Sequence, residues 1–425
     1  MREMKDSGVE WVGKVPATWK IMPNKYIMTK KKVIKEVYEG ESIISLSMNG
    51  VIVRDLEAGG KMPKTFDGYQ IVYPGNLLMC LFDYDVTPRC IGLIKNYGVT
   101  SPAYSQFVMN NGNYSGYYYY YYLMVDHTKA LLHLAKNLRH SFTEEQLGAI
   151  LAPVPTIEEQ QQIANFLDTK CSEIDATAED IQKEISLLEE YKKSVITEAV
   201  TKGLNPDAEM KDSEIEWIEE IPKGWKIIRL KYITNSIGDG LHGTPNYDDL
   251  GTIFFINGNN LGNRKISITE KTNRLTEKEY KKYGVFKLDK RTLLMSLNGT
   301  YGTLSMYDNE PIMLSKSVGY INVCNKETKE YLYYFLQSSL AQNQMTISLA
   351  GTTIANLSLA TVRNLRICLP SICEQQQITD FLDAKCSEID ALIADKKRQR
   401  GILAEYKKSL IYEYVTGKKE VPVHE

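Results

Sequence analysis

The stretch EQQQIANFLDTKCSEIDA, Glu159–Ala176, returns as EQQQITDFLDAKCSEIDA, Glu374–Ala391. Each copy runs on to a second shared block, EYKKSVITEAVT (Glu190–Thr201) and EYKKSLIYEYVT (Glu405–Thr416). At a constant offset of 215 residues, 26 of the 43 positions from Glu159 to Thr201 are identical. A repeat on this scale constrains architecture before local propensity does. Both copies are rich in Glu, Lys, Leu, Ala and Gln and contain no proline, so each is expected as one long helix. Such a helix is roughly 65 Å long at ~1.5 Å per residue.

The apolar residues of these helices form a seam. Leu167, Ile174, Ile181, Leu188 and Val195 recur every seven residues, with Cys171, Ala178, Ile185 and Ala199 on the companion row and Lys192 interrupting. The second copy keeps Leu382, Ile389, Leu403 and Leu410, with Cys386 and Ile393, and breaks in the middle at Lys396 and Arg400. An a/d seam needs a partner, and the nearest is the other copy, giving an intramolecular antiparallel coiled coil. The alternative is that each helix caps its own domain.

The chain has 425 residues, enough for two or three domains, and a net charge of −2. No apolar run reaches the ~18–20 residues of a membrane span, and MREMKDSGVE is not a signal peptide. The seven cysteines form no CxxC and no metal-ligand spacing with the five histidines. A reducing, cytoplasmic setting is expected. Residues 19–140 hold 14 Lys+Arg against 9 Asp+Glu, as do residues 225–320, whereas residues 158–201 hold 4 against 11. Two mildly basic regions separated by an acidic helix suit a polyanion such as DNA, and suit ordinary solvated surface as well.

A second repeat precedes each basic region. MKDSGVEWVGKVPATWKI (Met4–Ile21) matches MKDSEIEWIEEIPKGWKI (Met210–Ile227), pairing Trp11 with Trp217, Pro16 with Pro222 and Trp19 with Trp225. These tryptophans are expected to anchor the lead into each domain. Gly8-x4-Gly13-Lys14 imitates a phosphate loop, but Val15 stands where a Ser or Thr must hold magnesium. Short strands are expected at Ser42–Met48, Ile71–Tyr73, Asn76–Phe82, Cys90–Lys95 and Ser105–Val108. The six tyrosines Tyr117–Tyr122 offer a base-stacking platform or, as their counterpart from Tyr331 suggests, a partly buried helix. Leu147–Pro155 is expected as a strand. Lys202–Glu209 is a polar linker. In the second region, Leu293-Leu294-Met295 echoes Leu77-Leu78-Met79 and Pro370 echoes Pro155, with little else in common. The chain ends almost where the repeat would begin again, so the copies are cyclic and the termini are expected close together.

The helices and tryptophan blocks are held constant while the regions between them diverge. A near-identical helix pair offers one contact surface twice. Two unlike basic domains suit two halves of one ligand, as in a reader of a split DNA sequence. With these blocks, the chain resembles the specificity subunits of type I restriction–modification systems over essentially its full length. The resemblance implies an α+β protein: two mixed α/β target recognition domains separated by two long helices, with a cyclic pseudo-two-fold repeat. The corresponding boundaries are residues 1–157, 158–205, 206–373 and 374–425. It also implies binding of double-stranded DNA with a bipartite target and docking of two modification (methyltransferase) subunits, which methylate adenine at N6. Restriction (translocase/nuclease) subunits can join. S-adenosylmethionine, ATP and Mg2+ are then used by the partners, and none is bound by this chain.

The residues agree that the chain lacks chemistry of its own. There is no Pro-Pro for an amino-methyltransferase motif, no GxGxxG and no HExxH. A protein-only coiled-coil adaptor and a self-sufficient nuclease remain as rivals. Candidate DNA contacts are charged or amide residues beside turns: Asn49, Arg54, Lys61, Lys64, Arg89 and Lys95 in the first domain. In the second they are His242, Asn259, Asn260, Arg264, Lys265, Asn298, Tyr301 and Lys316.

Overall fold

The computed structural model describes residues 2–57, 63–110, 112–135, 137, 140–215, 218, 220–262, 264–283, 287–349 and 356–422. Two helices dominate it, Ile157–Lys202 and Ile372–Val415, of 46 and 44 residues. Their starts follow from capping. Thr156 Oγ1 accepts from the Glu159 backbone N–H at 3.3 Å, and Ser371 Oγ accepts from that of Glu374 at 3.3 Å. The Glu374 carboxylate accepts in return from the Ser371 backbone N–H at 3.2 Å, completing a capping box. Left-handed glycines follow both ends, Gly203 (φ 76°) and Gly417 (φ 68°).

The chain divides into two compact units, Met1–Gln182 with Arg398–Glu425, and Lys183–Lys397. Each unit takes part of each long helix. In the first, Met4–Asp6 pairs with Lys14–Pro16, and Lys20–Pro23 pairs with Leu151–Val154. A four-stranded antiparallel sheet runs in the order Met28–Lys31, Ser105–Met109, Leu77–Met79, Ile91–Leu93. A hairpin, Ile44–Ser47 with Gly50–Val53, and the pair Gln70–Val72 with Gly98–Thr100 complete it. The expected strands are therefore present: three are shorter than expected, Gln70–Val72 is shifted by one residue, and Ser105–Met109 is one residue longer. The tyrosine run lies in a helix, Ser115–His127, with Tyr117, Tyr118 and Tyr121 wholly buried, so it is core and not a stacking platform. The strand expected from Leu147 starts later. Glu144–Ala149 is a helix, capped by Thr143 and Gln146, and the strand begins at Leu151.

The second unit repeats the frame. Met210–Asp212 pairs with Glu220–Pro222, and Lys226–Arg229 with Arg366–Leu369. Its four-stranded sheet, Thr234–Asp239, Val318–Val323, Thr292–Ser296, Leu304–Met306, has the same chain-order logic as the first. Leu293–Met295 and Leu77–Met79 occupy the same third position in their sheets and are buried in both. The second unit adds Ile253–Ile256 between Arg274–Leu275 and, in parallel, Ile312–Leu314. Trp217 lies outside the described residues; Trp19 and Trp225 are buried.

The long helices run antiparallel within each unit. In the first, Lys407 Nζ bonds Asp175 at 2.7 Å, and Arg400 bonds Gln182. In the second, Lys192 Nζ bonds Asp390 at 2.7 Å, while Lys396 pairs with Glu184 and Lys397 with Glu189. The seam break at Lys396 and Arg400 is thus filled by polar partners. Of the seam residues, Leu167, Cys171, Ile174, Ile181, Ile185, Leu382, Cys386, Ile389, Ile393 and Leu410 are buried, and Ala178, Leu188 and Leu403 are half-buried. Both sequence expectations for these helices hold together. Their outer turns also cap the domain cores: Ile163, Leu167, Cys171 and Ile174 join the first, Ile378, Leu382 and Cys386 the second. The termini meet as expected, with Arg2 Nε 2.9 Å from Glu420 Oε1.

Candidate nucleic-acid interface and its helix supports

The constant residues form one bonding scheme, made twice. Trp19 Nε1 donates to Glu159 at 2.8 Å, and Trp225 Nε1 donates to Glu374 at 3.2 Å. Burial works against the Glu374 carboxyl, but the bonds from Trp225 and Ser371 hold it below its ordinary value. Tyr117 Oη donates to the Val415 carbonyl at 2.8 Å, and Tyr331 Oη lies 3.0 Å from that of Val200. Tyr120 Oη donates to Asp168 at 2.7 Å, and Tyr334 Oη donates to Asp383. Burial pushes the phenols of Tyr117 and Tyr331 well above their ordinary value, so they serve as un-ionised donors. A Cβ on Gly417 would come within 2.8 Å of the Trp19 ring, and one on Gly203 within 3.2 Å of Trp225. Glycine there lets each helix end close against its tryptophan.

The two aspartates, and the bonds that Tyr120 and Tyr334 make to them, escaped the sequence reading. Their signal was available: Tyr119-Tyr120 and Tyr333-Tyr334 stand in matching helices, and Asp168 and Asp383 are identical members of the long repeat.

The candidate contact residues separate into two groups. Asn49, Lys64, Lys95, His242, Asn259, Lys265 and Lys316 are exposed. Asn49 stands in the turn of the Ile44–Val53 hairpin. His242 Nε2 lies 2.7 Å from Asp239. Asn259, Asn260 and Lys271 line a small polar hollow of about 130 Å³. Lys61 lies outside the described residues. The others are less exposed, and most are engaged within the fold; Asn298 Oδ1 is buried without a hydrogen-bond partner among the described residues. Asn260 holds its turn through Ser267 and Asn257. Tyr301 Oη lies 3.2 Å from Thr346 Oγ1. Asn298 and Arg54 are half-buried.

Arg89 and Arg264 face inward. Arg89 donates to the carbonyls of Met48 and Ile91, each at 3.1 Å, and to Tyr119 Oη at 2.5 Å. Arg264 pairs with Glu330 and Asp383. Both guanidinium groups are thus held by partners within the fold. Among the described residues no group of three His, Cys, Asp or Glu side chains could hold a metal ion, and no helix is long and apolar enough to cross a membrane.

Residues 222–399 match the family described as the type I restriction modification DNA specificity domain. The match covers most of the second globular segment and the first part of the long helix that follows it. The MjaVIII specificity subunit of Methanocaldococcus jannaschii, a type I restriction enzyme component, is 29% identical over 280 residues, covering 64% of this chain. A putative MjaX specificity subunit from the same organism is 26% identical over 286 residues, covering 66%. The matches span 63% and 62% of the length of these two relatives. A chain in a solved structure concerned with complex assembly and conformational transition of the type I R-M system aligns over 95% of this chain and 99% of its own. The TM-score is 0.68 at 14% identity, a likeness of fold. The resemblance to type I specificity subunits read from the repeated blocks is borne out, as is the α+β fold with its internal repeat.

Proposed function

We propose that this chain is the non-catalytic, sequence-specific DNA-binding subunit of a type I restriction–modification complex. Residues 1–157 and 206–373 act as its two target recognition domains, one half-site each. Residues 158–205 and 374–425 carry the helices that set the gap between half-sites and dock two methyltransferase subunits. The partners bring S-adenosylmethionine and methylate adenine at N6. A restriction subunit, with ATP and Mg2+, joins the same assembly in the cytoplasm.

One observation carries the reading: a bonding scheme repeated residue for residue at the helices, against domain surfaces that share a frame and little sequence. Asp175–Lys407 and Asp390–Lys192 are the same pair made twice. Selection for two copies of one partner would keep such a surface constant. Selection for two different half-sites would let the loops diverge. Asn49, Lys64 and Lys95 in the first domain, and His242, Asn259, Lys265 and Lys316 in the second, are the proposed contacts, by phosphate or base edge.

The test is methylome sequencing of a host with and without the gene. The proposal expects one gene-dependent bipartite motif, with a fixed gap and methylated adenine in both halves. An unchanged methylome in a host carrying the methyltransferase partner contradicts it.

A further inference from the structure

Two arginines of unrelated sequence context occupy one seat. In the first unit, Arg89 precedes the strand Ile91–Leu93 and its guanidinium lies 5.7 Å from the centre of the Tyr119 ring. In the second, Arg264 sits in the turn between Leu261–Gly262 and Lys265–Ile266, 5.3 Å from the Tyr333 ring and 5.8 Å from that of Tyr334. Tyr119-Tyr120 and Tyr333-Tyr334 are corresponding pairs, packed edge to face at 4.8 and 5.3 Å. The second tyrosine of each pair bonds an aspartate of a long helix, Asp168 or Asp383.

Each arginine ties something variable to this constant seat. Arg89 Nη1 holds the Met48 carbonyl at the turn of the Ile44–Val53 hairpin, and its guanidinium lies where a Cβ on Gly50 would come within 3.3 Å. Arg264 adopts φ 67°, a left-handed conformation that costs energy in a non-glycine residue. Its carbonyl accepts from the Met306 backbone N–H at 2.8 Å while its side chain pairs with Glu330 and Asp383. The turn that carries the exposed Lys265 is thereby fastened to the sheet and to the helix together.

We infer that Arg89 and Arg264 are positioning residues, each setting the placement of a DNA-facing loop of its own domain against the repeated tyrosine pair. The inference rests on the DNA-reading function proposed above. It makes specificity at one half-site depend on a residue that touches no DNA. Lysine cannot replace either, because a point charge cannot span the partners that the planar fork reaches.

The experiment compares methylomes of cells expressing the full chain with its methyltransferase partner. Absence of a motif with the unaltered chain would sink the DNA-reading function itself. With that motif present, Arg264→Lys is expected to relax one or more positions in one half-site at least tenfold and leave the other half intact. Arg89→Lys should do the same to the other half only. Tyr334→Phe and Glu330→Gln, milder changes in the same seat, should relax the Arg264 half by a smaller factor and serve if the arginine variant fails to fold. An unchanged motif with all these variants, or a loss of methylation equal at all sites with no new sequences accepted, overturns the inference.

Discussion

Cys171 and Cys386 are the same residue in two copies of one helix, and both are 5% exposed. Burial pushes the Cys171 thiol up to about 11 and also raises that of Cys386. A thiol held this far above its ordinary value is protonated in mildly alkaline buffer and packs as a small apolar group. Cys324 and Cys373 are exposed. Iodoacetamide should therefore label Cys324 and Cys373 in the native protein, and Cys171 and Cys386 only after unfolding, as read by mass spectrometry of the peptides. Equal labelling rates at all four would show that the helix seam is open. At this scale the sequence was a good guide to burial, because seven-residue spacing marks the buried side of a helix directly. It did not show the intramolecular partners of Arg89 and Arg264. A charged residue beside a turn looks alike whether its partner is a phosphate or a carboxylate distant in the chain.

The two long helices owe their pairing to an apolar seam and to ion pairs along its edge. The pairs are half-exposed: the side chains of Lys407 and Asp175 are 24% and 64% accessible. Each is then worth no more than ~1 kcal/mol. Asp175→Lys should cost about that much, and the exchange Asp175→Lys with Lys407→Asp should recover most of it. Ile181→Asp is a different matter, because it places a carboxylate at a position 9% exposed. It should cost more than ~3 kcal/mol by urea unfolding. A wild-type midpoint for Ile181→Asp would mean the seam faces water. The helix bounds were readable to within two residues because the repeated block itself delimits them; the caps Thr156-x-x-Glu159 and Ser371-x-x-Glu374 stand at its edge. The helix at Glu144–Ala149 was missed although Thr143-x-x-Gln146 carries the same signature. Its six residues are too few to show a period, and the apolar run of the strand at Leu151 masked it.

On the scale of the whole molecule, the repeat is cyclic: Arg2 bonds Glu420, and the tryptophan block at each domain's start bonds the helix that leaves it. That organisation was legible because two copies of one sequence show which positions are held. The matching four-stranded sheets were not, because the loops between their strands share almost no residues. The central claim is that each globular segment reads its own half of a divided target. The most direct measurement replaces residues 206–373 with the corresponding segment of another specificity subunit and sequences the methylome of the host. The account predicts a new motif in which one half and the gap are kept and the other half is replaced by the donor's. A change in both halves, or in neither while methylation persists, would contradict it.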